Sequence, residues 1–207
     1  MESSRGYAYY REHATDVKSE DITSSERNKN IMQKLRDGDS DFTSLNILED
    51  DNERDDDFVV RKEDDLGWLG YFIGESNTLE YLRISCEPTT VCMIEGICRN
   101  RSIQNLEFLY GSIDDTTFIH LAPFFESNNS LTSFNLACGN MGSDVCARTF
   151  AMALVKSRNL KQLCFEGIAD GVQFSGEAFK DIIATALHFL PQLEELYFDY
   201  HYIDRGG

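Results

Sequence analysis

Leu131-Thr132-Ser133-Phe134-Asn135-Leu136-Ala137-Cys138 places apolar residues at its first, fourth and sixth positions. Alternate side chains of a strand point to opposite faces. Phe134 and Leu136 therefore share one face, and Ser133, Asn135 and Ala137 share the other. The same spacing returns as Phe42–Leu45–Ile47, Leu79–Leu82–Ile84, Ile103–Leu106–Phe108, Leu160–Leu163–Phe165 and Leu193–Leu196–Phe198. Copies of one short apolar pattern, 24 to 37 residues apart, are the signature of an internally repeated architecture.

The segments between copies complete the unit. Asn77, Asn100, Asn129 and Asn159 lie just before the opening apolar residue, and asparagine tolerates the left-handed conformation that ends helices. After most copies the apolar period changes to that of a helix. Phe118, Leu121, Ala122 and Phe125 form one stripe, and Cys146, Phe150, Ala153 and Leu154 form another. Phe179, Ile182, Ile183, Ala186, Leu187 and Leu190 form a third. Asp114–Asp115, Ser143–Asp144 and Ser175 offer side-chain oxygens to the first N–H groups of these helices. Each unit is thus predicted to be a strand, a turn, a helix and a turn back. One such unit cannot bury its own apolar side, so units must stack.

Leu131–Leu136 followed by Cys138 is close to the leucine-rich-repeat pattern, in which Asn or Cys follows the third apolar position. Over residues 42–204 the chain resembles the ribonuclease-inhibitor-like class of that family, with repeats of roughly 28 residues. At the family's usual Asn position stand Glu87, Gly111, Gly139, Ile168 and His201. The resemblance implies an α/β leucine-rich-repeat solenoid of about six repeats, with a parallel strand layer on the concave side and helices on the convex side. Residues 42–207 would form the solenoid, interrupted by an acidic insertion at 49–57.

Upstream, residues 1–25 are polar and are expected to be disordered, and residues 26–41 are expected to form a capping helix and turn, with Ile31, Met32 and Leu35 facing the first repeat. In the helix of the first repeat, Gly67, Gly70 and Gly74 are poor helix formers, and they invite close approach of a neighbour. At the other end no polar cap follows Leu193–Phe198, so the open end is expected to pack on a further repeat or another chain.

Charge narrows the partners. Thirty-six acidic against 19 basic residues give a net charge of −17 over 207 residues. Such a surface repels phosphate backbones and anionic membranes, so neither nucleic acid nor a membrane is expected as a partner. The N-terminal Met-Glu-Ser-Ser-Arg-Gly has no apolar core of a secretory signal, and the six cysteines show no metal-like spacing. A cytoplasmic or nuclear protein with free thiols is the expectation.

Motifs of chemistry are missing. The sequence has no nucleophile elbow, no phosphate-binding glycine loop, and no metal spacing among His13, His120, His188 and His201. Asp37-Gly38-Asp39-Ser40-Asp41 opens like a calcium loop, but Phe42 and Leu48 stand where Gly and Glu are required. The segment reads better as a helix end. The run from Asp50 to Asp57 reads as a solvated loop. No enzyme activity, metal or cofactor is expected.

If the motif residues face the core, the residues between them form rows on the opposite strand face. One row is Asn46, Arg83, Glu107, Asn135, Cys164 and Tyr197; another includes Tyr81, Asn105 and Gln162. Tyr and Arg are common binding anchors, so Tyr81, Arg83, Asn105, Glu107, Asn135, Gln162 and Tyr197 are the expected partner-binding set. Leu48 and Leu109 are expected to be exposed on the same face. The function this implies is protein–protein interaction through the concave face of the solenoid. The resemblance also allows a GTPase-activating protein of the ribonuclease-inhibitor-like type, or the substrate-recognition arm of a ubiquitin ligase.

Overall fold

Parallel strands in chain order are what a repeated strand–helix unit must produce, since each helix returns the chain to the start of the next strand. The computed structural model describes residues 6–49, 57–85, 90–109, 115–137, 144–166 and 176–199. Their elements are α1 (Tyr7–His13), α2 (Ser19–Ile22), α3 (Glu26–Asp37), β1 (Ser44–Leu48), β2 (Asp57–Val59), α4 (Glu63–Glu75), β3 (Tyr81–Ser85), α5 (Val91–Arg99), β4 (Asn105–Leu109), α6 (Asp115–Ser127), β5 (Ser133–Ala137), α7 (Asp144–Leu154), β6 (Gln162–Glu166), α8 (Gly176–Phe189) and β7 (Glu195–Asp199). The seven strands form one all-parallel sheet in the order β2-β1-β3-β4-β5-β6-β7.

The apolar copies pair in register across this sheet. Leu45, Leu82, Leu106, Phe134, Leu163 and Leu196 form one row, and Ile47, Ile84, Phe108, Leu136, Phe165 and Phe198 the next. Helices α4 to α8 pack side by side over these rows. Phe125 meets Phe134 at 5.0 Å between ring centres, Phe134 meets Phe150 at 5.7 Å, and Phe150 meets Phe165 at 5.9 Å. All four rings are buried, and each contributes about 2 kcal/mol of apolar transfer.

The seventh strand is β2, which the repeat pattern does not contain. Phe58 and Val59 pair beside Ile47 and Leu48 of β1, where the sequence reads only the end of an insertion. Asn28 of α3 closes the open edge of β2. Its Nδ2 donates to Val59 O at 2.7 Å and its Oδ1 accepts from Val59 N at 3.1 Å. Buried Asp57 accepts from Asn46 Nδ2 at 2.8 Å. Residues 50–56 of the acidic run lie outside the described residues.

Helix α3 starts at Ser25, whose hydroxyl accepts from Asn28 N at 3.3 Å, and stops at Gly38, in the left-handed conformation with φ 64°. Asp37-Gly38-Asp39 is therefore a helix terminus. Residues 6–25, read from composition as disordered, carry α1 and α2 instead. Tyr7, Tyr10 and Ile22 are buried, because three apolar anchors suffice to hold two short helices against α3, α4 and α5.

Glycine governs this end of the molecule. A Cβ on Gly96 of α5 would fall on the carbonyl oxygen of Gly70 in α4, and one on Gly70 would strike the Met93 backbone. Gly67 and Gly74, on the same helix as Gly70, leave room for the Tyr10 and Tyr7 rings of α1. The Tyr7 hydroxyl donates to Glu75 Oε1 at 2.7 Å, and Glu95 Oε2 accepts from Tyr7 N at 2.9 Å.

At the other end of the row, α7 is the helix neighbour of α8 among the described residues. Ile182, Ala186 and Leu190 of its apolar stripe are buried, but Leu187, expected to face the core, is 68% exposed. Phe179 and Ile183 have side chains outside the described residues, as do the expected caps before α6, α7 and α8.

The turn from α5 to β4 does not use a left-handed asparagine. Asn100 has φ −61° and ψ 139°, which is extended. Its side chain is fully buried: Nδ2 donates to Ile73 O at 2.8 Å and Ser76 O at 2.9 Å, and Oδ1 accepts from Ser102 N and Ile103 N, both at 2.8 Å. Asn128 accepts in the same way one unit on, from Ser130 N and Leu131 N, and donates to Asn100 O and Ile103 O. Ser76 precedes them and Ser157 follows, so a buried polar ladder runs Ser76, Asn100, Asn128, Ser157. Of the four asparagines picked out by sequence, only Asn100 belongs to it.

Candidate functional site

The strand face turned away from the helices has no described element over it. The rows expected there are in register: Asn46, Arg83, Glu107, Asn135, Cys164 and Tyr197 pair strand to strand, as do Ser44, Tyr81, Asn105, Ser133, Gln162 and Glu195. Tyr81, Arg83, Asn105, Glu107 and Asn135 are half-buried, whereas Gln162 and Tyr197 are exposed, Tyr197 to 52%.

The face has one internal cluster. Glu107 Oε2 accepts from the Tyr81 hydroxyl at 2.8 Å and from Arg83 Nε at 2.9 Å. Burial and then the hydrogen bond to Glu107 push the Tyr81 phenol up to about 12. Tyr81 and Arg83 are therefore braced by one carboxylate, a link between neighbouring strands that spacing alone does not reveal. Further along, Gln162 Nε2 donates to Glu195 Oε2 at 3.1 Å. Asn135 Oδ1 is buried without a hydrogen-bond partner among the described residues. Leu48 and Leu109 are half-buried rather than exposed, since neighbouring strands shield them.

The thiols are quiet. Cys164 donates to Glu166 Oε1 at 3.4 Å, and burial followed by that acceptor pushes it up to about 12. Cys92 donates to Gly67 O at 3.2 Å and rises to about 12 through burial, and Cys98 to about 11 for the same reason. Each holds its proton in the folded state at a pH where the unfolded chain has lost it. This stabilisation is fully present below the unfolded thiol value of about 8.5 and is lost as pH rises toward the folded values. Melting temperature should therefore fall steadily between about pH 8.5 and pH 11, and Cys92→Ala should flatten that slope although it lowers stability at neutral pH. A wild-type slope of zero across that range would contradict the assignment.

Among the described residues no group of three His, Cys, Asp or Glu side chains could hold a metal, and no helix is long and apolar enough to cross a membrane. His120 and His188 are exposed and lie in different helices, and His201 is outside the described residues.

No family model and no curated protein matches this sequence. Among solved structures the fold resembles actin-binding site 2 of leiomodin-1, with a TM-score of 0.57 and 13% identity over 79% of this chain and 88% of that one. The tropomodulin C-terminal domain of Caenorhabditis elegans gives 0.49 and 12% over 85% and 84%. The first of these likenesses establishes the fold: α/β, with an all-parallel sheet flanked by helices.

These findings correct the leucine-rich-repeat, ribonuclease-inhibitor-like assignment. A solved fold that it resembles is actin-binding site 2 of leiomodin-1, and no family model supports the repeat class. There is also a physical reason. Among the described residues the buried side-chain ladder sits at the helix ends before β3, β4, β5 and β6, at Ser76, Asn100, Asn128 and Ser157, whereas that class carries its asparagine after the third apolar residue. Glu87, Gly111, Gly139, Ile168 and His201 lie outside the described residues. The functions drawn from the assignment fall with it: the solenoid recognition module, the GTPase-activating protein and the ubiquitin-ligase arm.

Proposed function

We propose that this chain binds actin and carries out no chemical step of its own. The observation that carries the reading is the likeness, over 79% of the chain, to a domain named for binding actin. The candidate contact set is Tyr81, Arg83, Asn105, Glu107, Asn135, Gln162 and Tyr197, which share the uncovered face of the sheet. Tyr197 offers an exposed aromatic anchor, and the Tyr81–Arg83–Glu107 cluster offers a pre-ordered polar one, so less side-chain freedom is lost on association. An actin partner agrees with the cytoplasmic location expected from the sequence.

The test is co-sedimentation with actin filaments, paired with capture of monomeric actin by the immobilised chain. The wild type is expected to bind one of the two forms. The double variant Arg83→Glu, Tyr197→Ala should bind at least about tenfold more weakly, because two anchors are removed. If neither form of actin is retained, the actin reading fails. If the variant binds as tightly as the wild type, actin stays and the contact set is wrong.

A further inference from the structure

We propose that the groove between α5 and α6 is a docking site for an amphipathic helix of another protein, one that presents short aliphatic side chains and an acidic flank. The inference is independent of actin and concerns the opposite side of the molecule from the sheet face.

The argument starts from the place where a helix already sits. Helix α1 rests on Gly67, Tyr71, Gly74 and Glu75 of α4, with Tyr10 over Gly67 and Tyr7 against the other three. These positions recur in α5. Ser76 and Asn100 are equivalent: each is buried at a helix end and accepts from the N–H groups two and three residues on. The strands that follow pair Tyr81 with Asn105, which fixes the same correspondence. Gly67, Tyr71, Gly74 and Glu75 therefore map onto Val91, Glu95, Cys98 and Arg99.

All four of those α5 residues line a groove whose far wall is Ile119 and Pro123 of α6, with a volume of about 400 Å³. This is the α1 seat repeated one unit along, and no described residue covers it. Val91 is 43% exposed and Ile119 45% exposed, so the open seat presents the apolar surface that the filled one hides. A helix laid in an apolar groove between helices is a common recognition mode.

The chemistry of the floor selects the occupant. Gly67 and Gly74 let tyrosine rings sink into the first seat. Val91 and Cys98 fill the same places in the second, so the floor is higher and suits Leu, Ile or Val. Arg99 and His120, both exposed, line the groove, and the Arg99 guanidinium also lies over the Tyr7 ring of α1, 4.4 Å from its centre. Glu95, the one acid among the lining residues, already accepts from Tyr7 N. Arg99 is the fixed cation among the described lining residues, and its exposed guanidinium complements an acidic flank.

The probe is an alanine-based helical peptide of about 15 residues, roughly four turns, with leucines along one stripe and glutamates beside it. A second peptide carries tyrosines in place of the leucines. Each is titrated into the isotope-labelled full chain while backbone amide resonances are followed. The leucine peptide should shift the amides of α5 and α6 and bind more tightly than the tyrosine peptide. Val91→Glu with Ile119→Glu should weaken it at least about tenfold, since two exposed apolar contacts become repulsive charges. His120→Glu, a single exposed change, should weaken it less. The proposal is overturned by an absence of shifts, by shifts spread over other elements, by a tyrosine peptide that binds as well, or by wild-type affinity in both variants. None of these outcomes bears on actin.

Discussion

Gly96→Ala is expected to melt roughly 10 °C below the wild type, which corresponds to about 3 kcal/mol for a chain of this size. The added methyl has nowhere to go. It meets the carbonyl oxygen of Gly70, a backbone atom in the middle of α4 that no rotamer change can move. Relief requires α4 and α5 to separate, and that opens the tightest helix pair in the molecule and undermines the seat of α1. Thermal unfolding followed by circular dichroism measures the loss. Gly6→Ala is the control: its methyl meets only the end of the Glu95 side chain, at 3.9 Å, and the change should stay under about 1 kcal/mol. Equal melting temperatures for Gly96→Ala and wild type would mean that the two helices do not touch through these glycines.

Asn100→Leu is expected to cost about 4 kcal/mol, because a buried hydrogen-bonding hub becomes an apolar side chain. Leucine can make none of these bonds: Ile73 O and Ser76 O lose their side-chain donor, and Ser102 N and Ile103 N lose their acceptor. Buried backbone groups left unpaired are penalised more heavily than the net value of the bonds they made. Asn159→Ala serves as the comparison, because Asn159 donates to Asn129 O at an exposed site and should change stability by less than about 1 kcal/mol. Denaturant titration of both variants separates a ladder residue from a surface one. Similar small losses in the two would remove Asn100 from any structural role.

Much of the sheet is legible in the amino-acid sequence. Apolar spacing marks which residues face the helices, and alternation then marks the outer rows, whose register across six strands follows directly. Gly70 announces a close approach because glycine inside a helix is otherwise a cost. What stays hidden are relationships between units rather than within them. Ser76 and Ser157 take the same place as Asn100 and Asn128, yet a serine carries no distinctive local signal. β2 has only three residues, and its edge is closed by Asn28, which looks like any polar residue of a helix. Composition marks residues 1–25 as disordered because it counts charges and cannot see that Tyr7 and Tyr10 meet glycine-sized vacancies on α4. Of the candidate site, the residues can be placed on one face, but the bracing of Tyr81 and Arg83 by Glu107 depends on strand register and emerges only from the fold. The family assignment goes astray for a related reason: a strand motif shared by several parallel α/β folds does not say where the buried polar ladder lies.

That ladder has a consequence for how such a chain can change length through descent. Asn100 and Asn128 each donate to carbonyls of the unit before and accept from the N–H groups two and three residues on, and the sheet from β3 onward adds strands strictly in chain order. Cutting out residues 101–128 as a block would bring Leu131 to follow Asn100 at the spacing Ile103 now has, with the N–H groups of Ser130 and Leu131 in the places of those of Ser102 and Ile103. Gene duplication or deletion in whole units therefore leaves no orphaned polar group at the junction, whereas the loss of a few residues inside a unit breaks the ladder at once. Unequal recombination between units is the mutational route this backbone tolerates best, so related chains should differ in length by whole units more readily than by fractions of one.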